Sequence, residues 1–271
     1  MKRLLTIQDL SCLGKCSLTV ALPVISAMGV EAAVLPTAVL STHTAFPSPQ
    51  VRDLSGDLEG IAAHWAQIGA EFDGICTGYL ATAGQIGQVL SIAERFPGFL
   101  LADPVMGDNG RLYSRITPDF IRQMAQLCAR ADAIVPNLTE ACFLTDTPYP
   151  ESYDADFVRQ LLKKLTDPGT PLAAVTGVSF REDTVGVMGY DREKDAFYSY
   201  SHKRLPESYH GTGDIFTSVC AGALALGESW ETALEKAANF VLRCMEETAK
   251  ESRDKRYGVC FEKALPYLWE H

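Results

Sequence analysis

The chain has 271 residues, of which 47% are hydrophobic and 21% are charged, and its formal net charge is −10. This composition suits a chain with a sizeable buried core and excludes an intrinsically disordered protein. The acidic balance, without any Lys/Arg cluster, argues against nucleic acid or an anionic membrane surface as a partner. No apolar run is long enough to predict a transmembrane helix. The eight scattered cysteines complete no zinc-site spacing, which favours free thiols in a reducing, cytoplasmic setting.

Short apolar runs alternate with longer stretches of helical periodicity along the whole chain. In chain order, strands are predicted at 4–8, 32–37, 74–77, 98–102, 133–136, 172–176, 184–190 and 196–201. Helices are predicted at 17–28, 53–68, 83–94, 118–129, 139–143, 154–164, 214–226, 230–252 and 261–269. Repeated strand–helix–strand units predict an α/β fold, with a mostly parallel central sheet and helices on both faces. No linker or repeat divides the pattern, so we expect residues 1–271 to form a single domain.

Polar residues follow the predicted strands at their carboxyl ends, which is where ligands bind in open α/β sheets. The residues that share this position are Asp9, Thr44, Tyr79, Asp103, Asn137, Thr176 and Asp214. They are the first candidates for a functional site.

The tetrad Gly211-Thr212-Gly213-Asp214 opens the apolar helix predicted at 214–226. Two glycines allow a tight turn, and the unpaired N–H groups at a helix start favour a phosphate. Asp214 would then lie beside a phosphoryl group, where a base for a substrate hydroxyl is needed. An ordinary capping loop explains the tetrad equally well when it is considered alone.

Two further segments carry carboxylates after predicted strands. In the loop 103–110, Asp103 and Asp108 offer the hard oxygen ligands that Mg²⁺ prefers beside nucleotide phosphates, although two carboxylates can also simply shape a turn. Asn137 and Glu140 are three residues apart, so they share one side of a first helical turn, where a plain helix cap is the alternative interpretation.

Two glycine patterns resemble nucleotide motifs only superficially. The segment 14–17 resembles the end of a P-loop, but Asp9 replaces the first glycine of that motif and Cys16 replaces its Ser/Thr. The Gly-x-Gly at 211–213 lacks the third glycine of a dinucleotide fingerprint. Neither a P-loop NTPase nor a nicotinamide dehydrogenase is supported.

Taken together, the segments 103–108, 136–140 and 211–214 resemble the motifs of the ribokinase-like superfamily in order and spacing. The stretches 6–9, 41–44 and 77–79 are similar to those of its vitamin-kinase branch, the pyridoxal, pyridoxine and pyridoxamine kinases. The resemblance covers nearly the whole chain. It implies a three-layer α/β/α sandwich, ATP with Mg²⁺ as the phosphate donor, a B6 vitamer as the acceptor, and a homodimer; it leaves a monovalent cation open.

The resemblance also implies roles for individual residues. Asp214 matches the catalytic aspartate that activates the 5′-hydroxyl of the vitamer, and the backbone N–H groups of Gly211, Thr212 and Gly213 match an anion hole for the transferred phosphoryl group. Positions implied to contact the Mg²⁺–ATP phosphates are Asp103, Asn137, Glu140, Thr176, Gly177, Gly211 and Thr212, with Asp108 and Glu140 nearest the metal. Asp9, Thr44 and Tyr79 match the pocket for the pyridine ring, next to Asp214.

The chain departs from the family pattern at two places within its first 20 residues. Asp9 stands where many pyridoxal kinases carry a serine, and a carboxylate there could favour a protonated pyridine or the amine of pyridoxamine. The segment 14–18 replaces the more usual Gly-Tyr-x-Gly-Asn.

Two other functions stay open. A hydroxymethylpyrimidine kinase of thiamine synthesis shares the fold but usually has a cysteine at the position of Asp214. A non-catalytic ligand sensor would be expected to have lost one of these motif residues, and all of them are present.

Overall fold

A computed structural model describes residues 1–207 and 209–269 of the chain. In this part of the chain the strands are β1 Arg3–Ser11, β2 Glu31–Leu40, β3 Val51–Asp53, β4 Gly74–Thr77, β5 Phe99–Ala102, β6 Gly107–Asp108, β7 Arg111–Leu112, β8 Ala133–Ile134, β9 Leu172–Val178, β10 Thr184–Asp191 and β11 Ala196–Lys203. The helices are α1 Leu18–Ala27, α2 Ser55–Gln67, α3 Ala83–Arg95, α4 Pro118–Arg130, α5 Leu138–Leu144, α6 Ala155–Thr166, α7 Thr212–Ala225 and α8 Trp230–Ala249.

The central sheet has nine strands among the described residues, in the order β11-β10-β9-β8-β5-β4-β1-β2-β3. The strands from β9 to β2 in this order pair in parallel, whereas β10, β11 and β3 are antiparallel to their neighbours. Strands β6 and β7 form a separate hairpin. The mostly parallel sheet predicted from the sequence is confirmed.

Helices cover both faces of this sheet, which gives the three layers. On one face, buried side chains of α1, α7 and α8 pack against Leu4 of β1 and Leu101 of β5. On the other face, buried side chains of α2, α3, α4 and α6 pack against Leu5 and Ile7 of β1. Neighbouring residues of β1 thus face opposite cores, as the two-residue period of a strand requires.

The predicted elements agree with the structure except at their ends and in three places. Strand β3 and the β6–β7 hairpin were not expected, because segments of two or three mostly exposed residues carry no periodic signal. The helix predicted at 261–269 is wrong: short 3₁₀ turns occupy Phe261–Lys263 and Leu265–Leu268. Pro266 lacks a backbone N–H, so it cannot continue an α-helix there.

Candidate functional site

The tetrad forms the N-terminus of helix α7, as the sequence predicts. Gly211 is the N-cap residue in the left-handed region, with φ 88° and ψ −1°, and the helix begins at Thr212. The amide of Ile215 is the first to donate along the helix, to the Gly211 carbonyl at 3.0 Å. The N–H groups of Thr212, Gly213 and Asp214 therefore have no partner within the helix, and together with the helix dipole they suit an anion.

Asp214 is half-buried in the first turn of α7, and the backbone amide of Ser17 lies near its carboxylate. Burial raises the pKa of Asp214 to about 6, the Ser17 amide opposes this shift, and the negative charge of Asp9 adds to it. A carboxylate with a pKa this close to neutrality is ionised at pH 7 and still basic enough to accept a proton from a hydroxyl.

Asp9 is only 3% exposed, near the carboxyl end of β1. The Ser17 hydroxyl donates to one of its carboxylate oxygens at 2.5 Å, and the Ser11 hydroxyl donates to the other at 3.0 Å. Burial raises the pKa of Asp9, while these two hydrogen bonds and the charge of His43 oppose the rise. Because each oxygen already accepts an O–H, Asp9 is oriented as a hydrogen-bond acceptor.

Asp103 follows strand β5 and is 7% exposed. The hydroxyl of Thr217, in α7, donates to Asp103 at 2.7 Å. Burial raises the pKa of Asp103 to about 7, the Thr217 hydrogen bond opposes the shift, and the charge of Asp214 adds to it. The loop after β5 and the start of α7 therefore bring two carboxylates close enough to influence each other.

Asn137 and Glu140 form a capping box at the start of α5, which confirms the plain cap considered from the sequence. The Asn137 side-chain oxygen accepts from the Glu140 amide at 3.0 Å, and Glu140 accepts from the Asn137 amide at 2.8 Å. The other Glu140 oxygen accepts from the Met106 amide at 2.9 Å, and the Asn137 side-chain amide donates to the Gly107 carbonyl at 2.8 Å. The cap therefore also fastens the loop that follows Asp103.

Glu140 is deeply buried, and burial together with the charge of Asp103 raises its pKa. The backbone N–H groups of Asn137, Met106 and Gly107 oppose this rise, because they stabilise the carboxylate. Glu140 thus has both oxygens engaged by the protein before any ligand arrives.

Asp108 lies at the surface, in the β6–β7 hairpin, where it accepts hydrogen bonds from the backbone and side-chain amides of Asn109 at 2.8 and 2.9 Å. The hairpin is held to α5 by the Gly110 amide, which donates to the Thr139 hydroxyl at 2.9 Å. Within 1–207 and 209–269, no group of three or more His, Cys, Asp or Glu side chains could hold a metal ion. The exposed Asp108 carboxylate is a hard oxygen ligand, which suits a divalent cation whose other ligands are phosphate and water oxygens.

Thr176 and Gly177 lie in β9, beside the capping box. The Thr176 amide donates to the Pro136 carbonyl at 2.9 Å, and Thr176 forms a parallel bridge with Asn137. Gly177 is exposed with φ +70°, at the point where the pairing of β9 with β10 shifts register. A left-handed residue at such a bulge is usually glycine, because it has no Cβ.

The two residues predicted to line a substrate pocket differ in their surroundings. Tyr79 follows β4 and is half-buried; burial raises its pKa, Arg115 opposes the shift, and the charge of Asp9 adds to it, so Tyr79 lies near Asp9. Thr44 is exposed in the loop after β2. Its neighbour His43 fixes that loop by a hydrogen bond of 2.6 Å between its Nε2 and the Arg256 carbonyl.

Sequence reasoning missed three residues of this site. Thr217 is three positions after Asp214 in the same helix, so its helical spacing was an available signal. Ser17 lay in a segment that only resembled a P-loop. Tyr113 gave no signal; it is exposed overall, yet desolvation of its hydroxyl and the charges of the nearby carboxylates Glu140, Asp108, Asp103 and Asp214 raise its pKa.

Comparison with known proteins identifies several relatives. A family model described as phosphomethylpyrimidine kinase matches residues 20–257. A provisionally named phosphomethylpyrimidine kinase from Bacteroides thetaiotaomicron, solved with pyridoxal, is 37% identical, with a TM-score of 0.94 over 98% of this chain and 95% of that chain. The structure of pyridoxal kinase from Lactobacillus plantarum is 35% identical, with a TM-score of 0.92 over 99% of this chain and 96% of that one. Pyridoxal kinase of Dictyostelium discoideum is 25% identical over 91% of this chain and 86% of its own length.

The family model covers most of the chain, and two of these solved relatives share more than a third of its residues over nearly its full length. The helix start, the capping box and the carboxylates Asp103, Asp108 and Asp214 lie within the matched range, whereas Asp9 precedes it. The chain belongs to the phosphomethylpyrimidine kinase family, within the ribokinase-like superfamily, and its relatives there include pyridoxal kinases.

Proposed function

We propose that this protein transfers the γ-phosphoryl group of ATP to the 5′-hydroxymethyl group of a B6 vitamer, which salvages the vitamer as its 5′-phosphate. The observation that carries the proposal is the start of helix α7. There a carboxylate with a pKa of about 6 follows directly after N–H groups that have no partner in the helix. Phosphoryl transfer needs this combination of a base for the acceptor hydroxyl and donors for the developing negative charge.

In this mechanism Asp214 accepts the proton of the substrate hydroxyl as its oxygen attacks phosphorus. The N–H groups of Gly211, Thr212 and Gly213 donate to the oxygens of the phosphoryl group in transit. Loss of one such donor costs roughly 3 kcal/mol in comparable sites. The helix dipole acts in the same direction, because its positive end faces the transferred group.

The nucleotide would lie along the strand ends from Asp103 to Gly177. Asp103, Asn137 and Thr176 line the phosphate path, and Asp108 and Glu140 would hold a Mg²⁺ ion through water. That ion, when bound, supplies positive charge to the phosphate oxygens. Both Glu140 oxygens already accept N–H groups, so Glu140 would reach the ion only through water, and it also keeps the 106–108 loop in place around the phosphates.

The acceptor would lie between Asp9 and Tyr79, with Thr44 at the rim. Tyr79 offers a flat aromatic face to the ring of the vitamer. Asp9, an oriented hydrogen-bond acceptor, favours a vitamer that presents a donor, such as a protonated ring nitrogen or the aminomethyl group of pyridoxamine.

Hydroxymethylpyrimidine is the alternative acceptor, and the name of the matching family model favours it. The named pyridoxal kinases among the relatives, and the solved relative that carries pyridoxal, favour the B6 vitamers. Asp214 favours them as well, because hydroxymethylpyrimidine kinases usually have cysteine at this position. A non-catalytic sensor is disfavoured, since Asp214 and the glycines before it are all present.

The test is ATP-dependent phosphorylation of pyridoxal, pyridoxine, pyridoxamine and hydroxymethylpyrimidine side by side, with and without Mg²⁺ and with added Na⁺ or K⁺. We expect turnover of at least one B6 vitamer, abolished in Asp214→Ala and retained in Asp156→Ala. Asp156 is a matched control because it is an exposed aspartate in the first turn of a different helix, α6. Turnover of hydroxymethylpyrimidine alone would assign the protein to thiamine synthesis, and no turnover at all would favour the sensor.

Three expectations about the whole protein belong to the same proposal. Residues 1–271 are proposed to act as one domain, which the continuous sheet from β11 to β3 supports. Among the described residues no helix is both long and apolar enough to cross a bilayer. A cytoplasmic homodimer is proposed on the family resemblance, and sedimentation of the purified protein would test the dimer.

A further inference from the structure

Ser17, the residue that precedes helix α1, has a backbone conformation that serine rarely adopts. Its φ is 52° and its ψ is −131°. A non-glycine residue at positive φ is strained and persists only where its surroundings hold it. Ser17 is also 4% exposed, and its carbonyl accepts from the Val20 and Ala21 amides at 2.9 Å, so it is fixed at the start of α1.

The Ser17 side chain also does not cap the helix, which is the usual role of a serine at this position. A serine N-cap normally accepts a hydrogen bond from an amide in the first turn, but the Ser17 side chain makes no such bond. Its hydroxyl instead donates to Asp9 at 2.5 Å. Strain and a missing cap both reduce stability, and neither is explained by the start of α1 alone.

Ser17 connects two elements of the fold. Its hydroxyl holds Asp9 of β1, and its carbonyl accepts the first hydrogen bonds of α1. In the usual extended conformation of an N-cap residue, a serine hydroxyl is directed at the amides of the first helical turn. At the positive φ of Ser17 the hydroxyl is directed at Asp9 instead.

We propose that Ser17 is a positioning residue that fixes Asp9 at the start of α1, through its hydroxyl and its strained backbone. The proposal rests on the proposed function, in which Asp9 binds the acceptor and Asp214 takes its proton. Hydrogen bonds to a charged partner are among the stronger ones in proteins, so losing the hydroxyl should be measurable in the kinetics. Ser11 is a natural comparison, because it holds only the other oxygen of Asp9.

Three substitutions separate the hydroxyl from the backbone conformation. Ser17→Gly removes the hydroxyl and relieves the strain, Ser17→Ala removes the hydroxyl and keeps the strain, and Ser17→Thr keeps a hydroxyl. We expect Ser17→Ala to melt about 2–4 °C below Ser17→Gly for each kcal/mol of strain. If the role of Ser17 were only structural, Ser17→Gly would match the wild type in every kinetic measurement.

The kinetic expectation concerns the acceptor. Both Ser17→Gly and Ser17→Ala should lower kcat/KM for the vitamer by about tenfold or more, while Ser17→Thr retains most of it. Because a displaced Asp9 would misalign the acceptor with Asp214, kcat should also fall in Ser17→Gly and Ser17→Ala. Ser11→Ala should mainly raise KM. In an Asp9→Asn background the hydroxyl should contribute less, so the double-mutant cycle should be non-additive.

A second measurement does not depend on turnover. Titration of ¹³C-labelled aspartate carboxyl groups by NMR, assigned with Asp9→Asn and Asp214→Asn, should show a higher pKa for Asp9 in Ser17→Gly, because a donor to its charged form is lost. Other titratable groups near enough to interact electrostatically with these two carboxylates are Asp103, Tyr113, Cys16, His43 and Tyr79. All five remain in every Ser17 variant.

The outcomes distinguish this proposal from the proposed function. If the wild type phosphorylates no vitamer, the function fails, and the NMR titration still tests the contacts of Ser17. If the wild type is active but Ser17→Gly and Ser17→Ala match it in kcat, KM and the Asp9 titration, Ser17 is only a structural residue and the proposal is overturned.

Discussion

Gly211 lies directly against the carbonyl oxygen of Lys15: a Cβ built on Gly211 would be 2.3 Å from that oxygen. Gly211 also has φ 88°, in the left-handed region. The chain segments before α1 and before α7 therefore approach each other so closely that only a residue without a side chain fits between them. This contact sets the position of the N–H groups that we propose as the anion hole.

We therefore expect Gly211→Ala to impair catalysis more than folding. The new methyl group must push α7 away from Lys15, which displaces the proposed donors, and we expect kcat to fall by about 10²–10³-fold. The backbone strain should cost about 1–3 kcal/mol of stability. Steady-state kinetics and thermal unfolding measure the two effects.

Gly87→Ala is the control for that substitution. Gly87 is an exposed residue inside α3, and a Cβ there would meet nothing within 4 Å. We expect this variant to keep full activity and to gain about 0.5–1 kcal/mol, since alanine is the better helix former. Wild-type kinetics in Gly211→Ala would contradict the role that we assign to the 211–213 backbone.

Asp214→Asn should lower kcat by about 10²–10⁴-fold, the usual contribution of a general base. In the wild type, kcat/KM should fall as the pH is lowered through about 6, because Asp214 becomes protonated there and can no longer accept the hydroxyl proton. A pH–rate profile from pH 4.5 to 9 gives this acid limb.

Asp9→Asn tests what raises the pKa of Asp214. Since the charge of Asp9 helps to raise the pKa of Asp214, its removal should move the acid limb to lower pH, apart from any change in KM for the vitamer. If the wild type shows no acid limb above pH 5, and Asp9→Asn leaves the profile unchanged, Asp214 is not the group that titrates.

Asp103 should destabilise the ligand-free protein at neutral pH. Its folded-state pKa is raised to about 7 from an ordinary value of 3.8, so the folded protein binds more protons than the unfolded chain between these values. The stability contributed by its protonated form is complete below pH 3.8 and is lost as the pH rises through 7.

Asp103→Asn removes the charge and keeps an oxygen that can accept from the Thr217 hydroxyl. We expect its melting temperature to exceed that of the wild type at pH 8, by about 2–4 °C for each kcal/mol relieved, with the difference shrinking towards pH 5. Its affinity for Mg²⁺–ATP should fall. If Asp103→Asn is less stable than the wild type at pH 8, the Asp103 charge does not destabilise the folded protein.

Glu140→Gln should loosen the loop that follows Asp103. A glutamine has one acceptor oxygen where Glu140 uses two, so the amide of either Met106 or Asn137 loses its partner. We expect a loss of about 1–3 kcal/mol of stability together with a raised KM for ATP. Chemical denaturation and ATP titration of the initial rate measure both.

Asp154→Ala is the control for a lost cap. Asp154 caps α6 by accepting from the Phe157 amide at 2.9 Å. Its replacement by alanine should cost about 1 kcal/mol of stability without changing KM for ATP. An unchanged KM for ATP in Glu140→Gln would mean that Glu140 is only a helix cap.

The sequence by itself determined the features that depend on neighbours in the chain. The alternation of strands and helices, the helix start at Gly211 and the Asn137–Glu140 cap are patterns over a few residues, and such patterns can be interpreted without a partner from elsewhere. Short elements with little periodic pattern, such as β3 and the β6–β7 hairpin, could not be predicted this way.

Only the tertiary structure decided which of these residues meet. Thr217 and Asp103 are 114 residues apart along the chain but share a hydrogen bond, and the Ser17 hydroxyl, before α1, donates to Asp9 of β1. The raised pKa values of the carboxylates likewise come from burial and from charges on distant segments. A single sequence holds no signal for such contacts, because they arise when the sheet brings the carboxyl ends of separate strands to one edge.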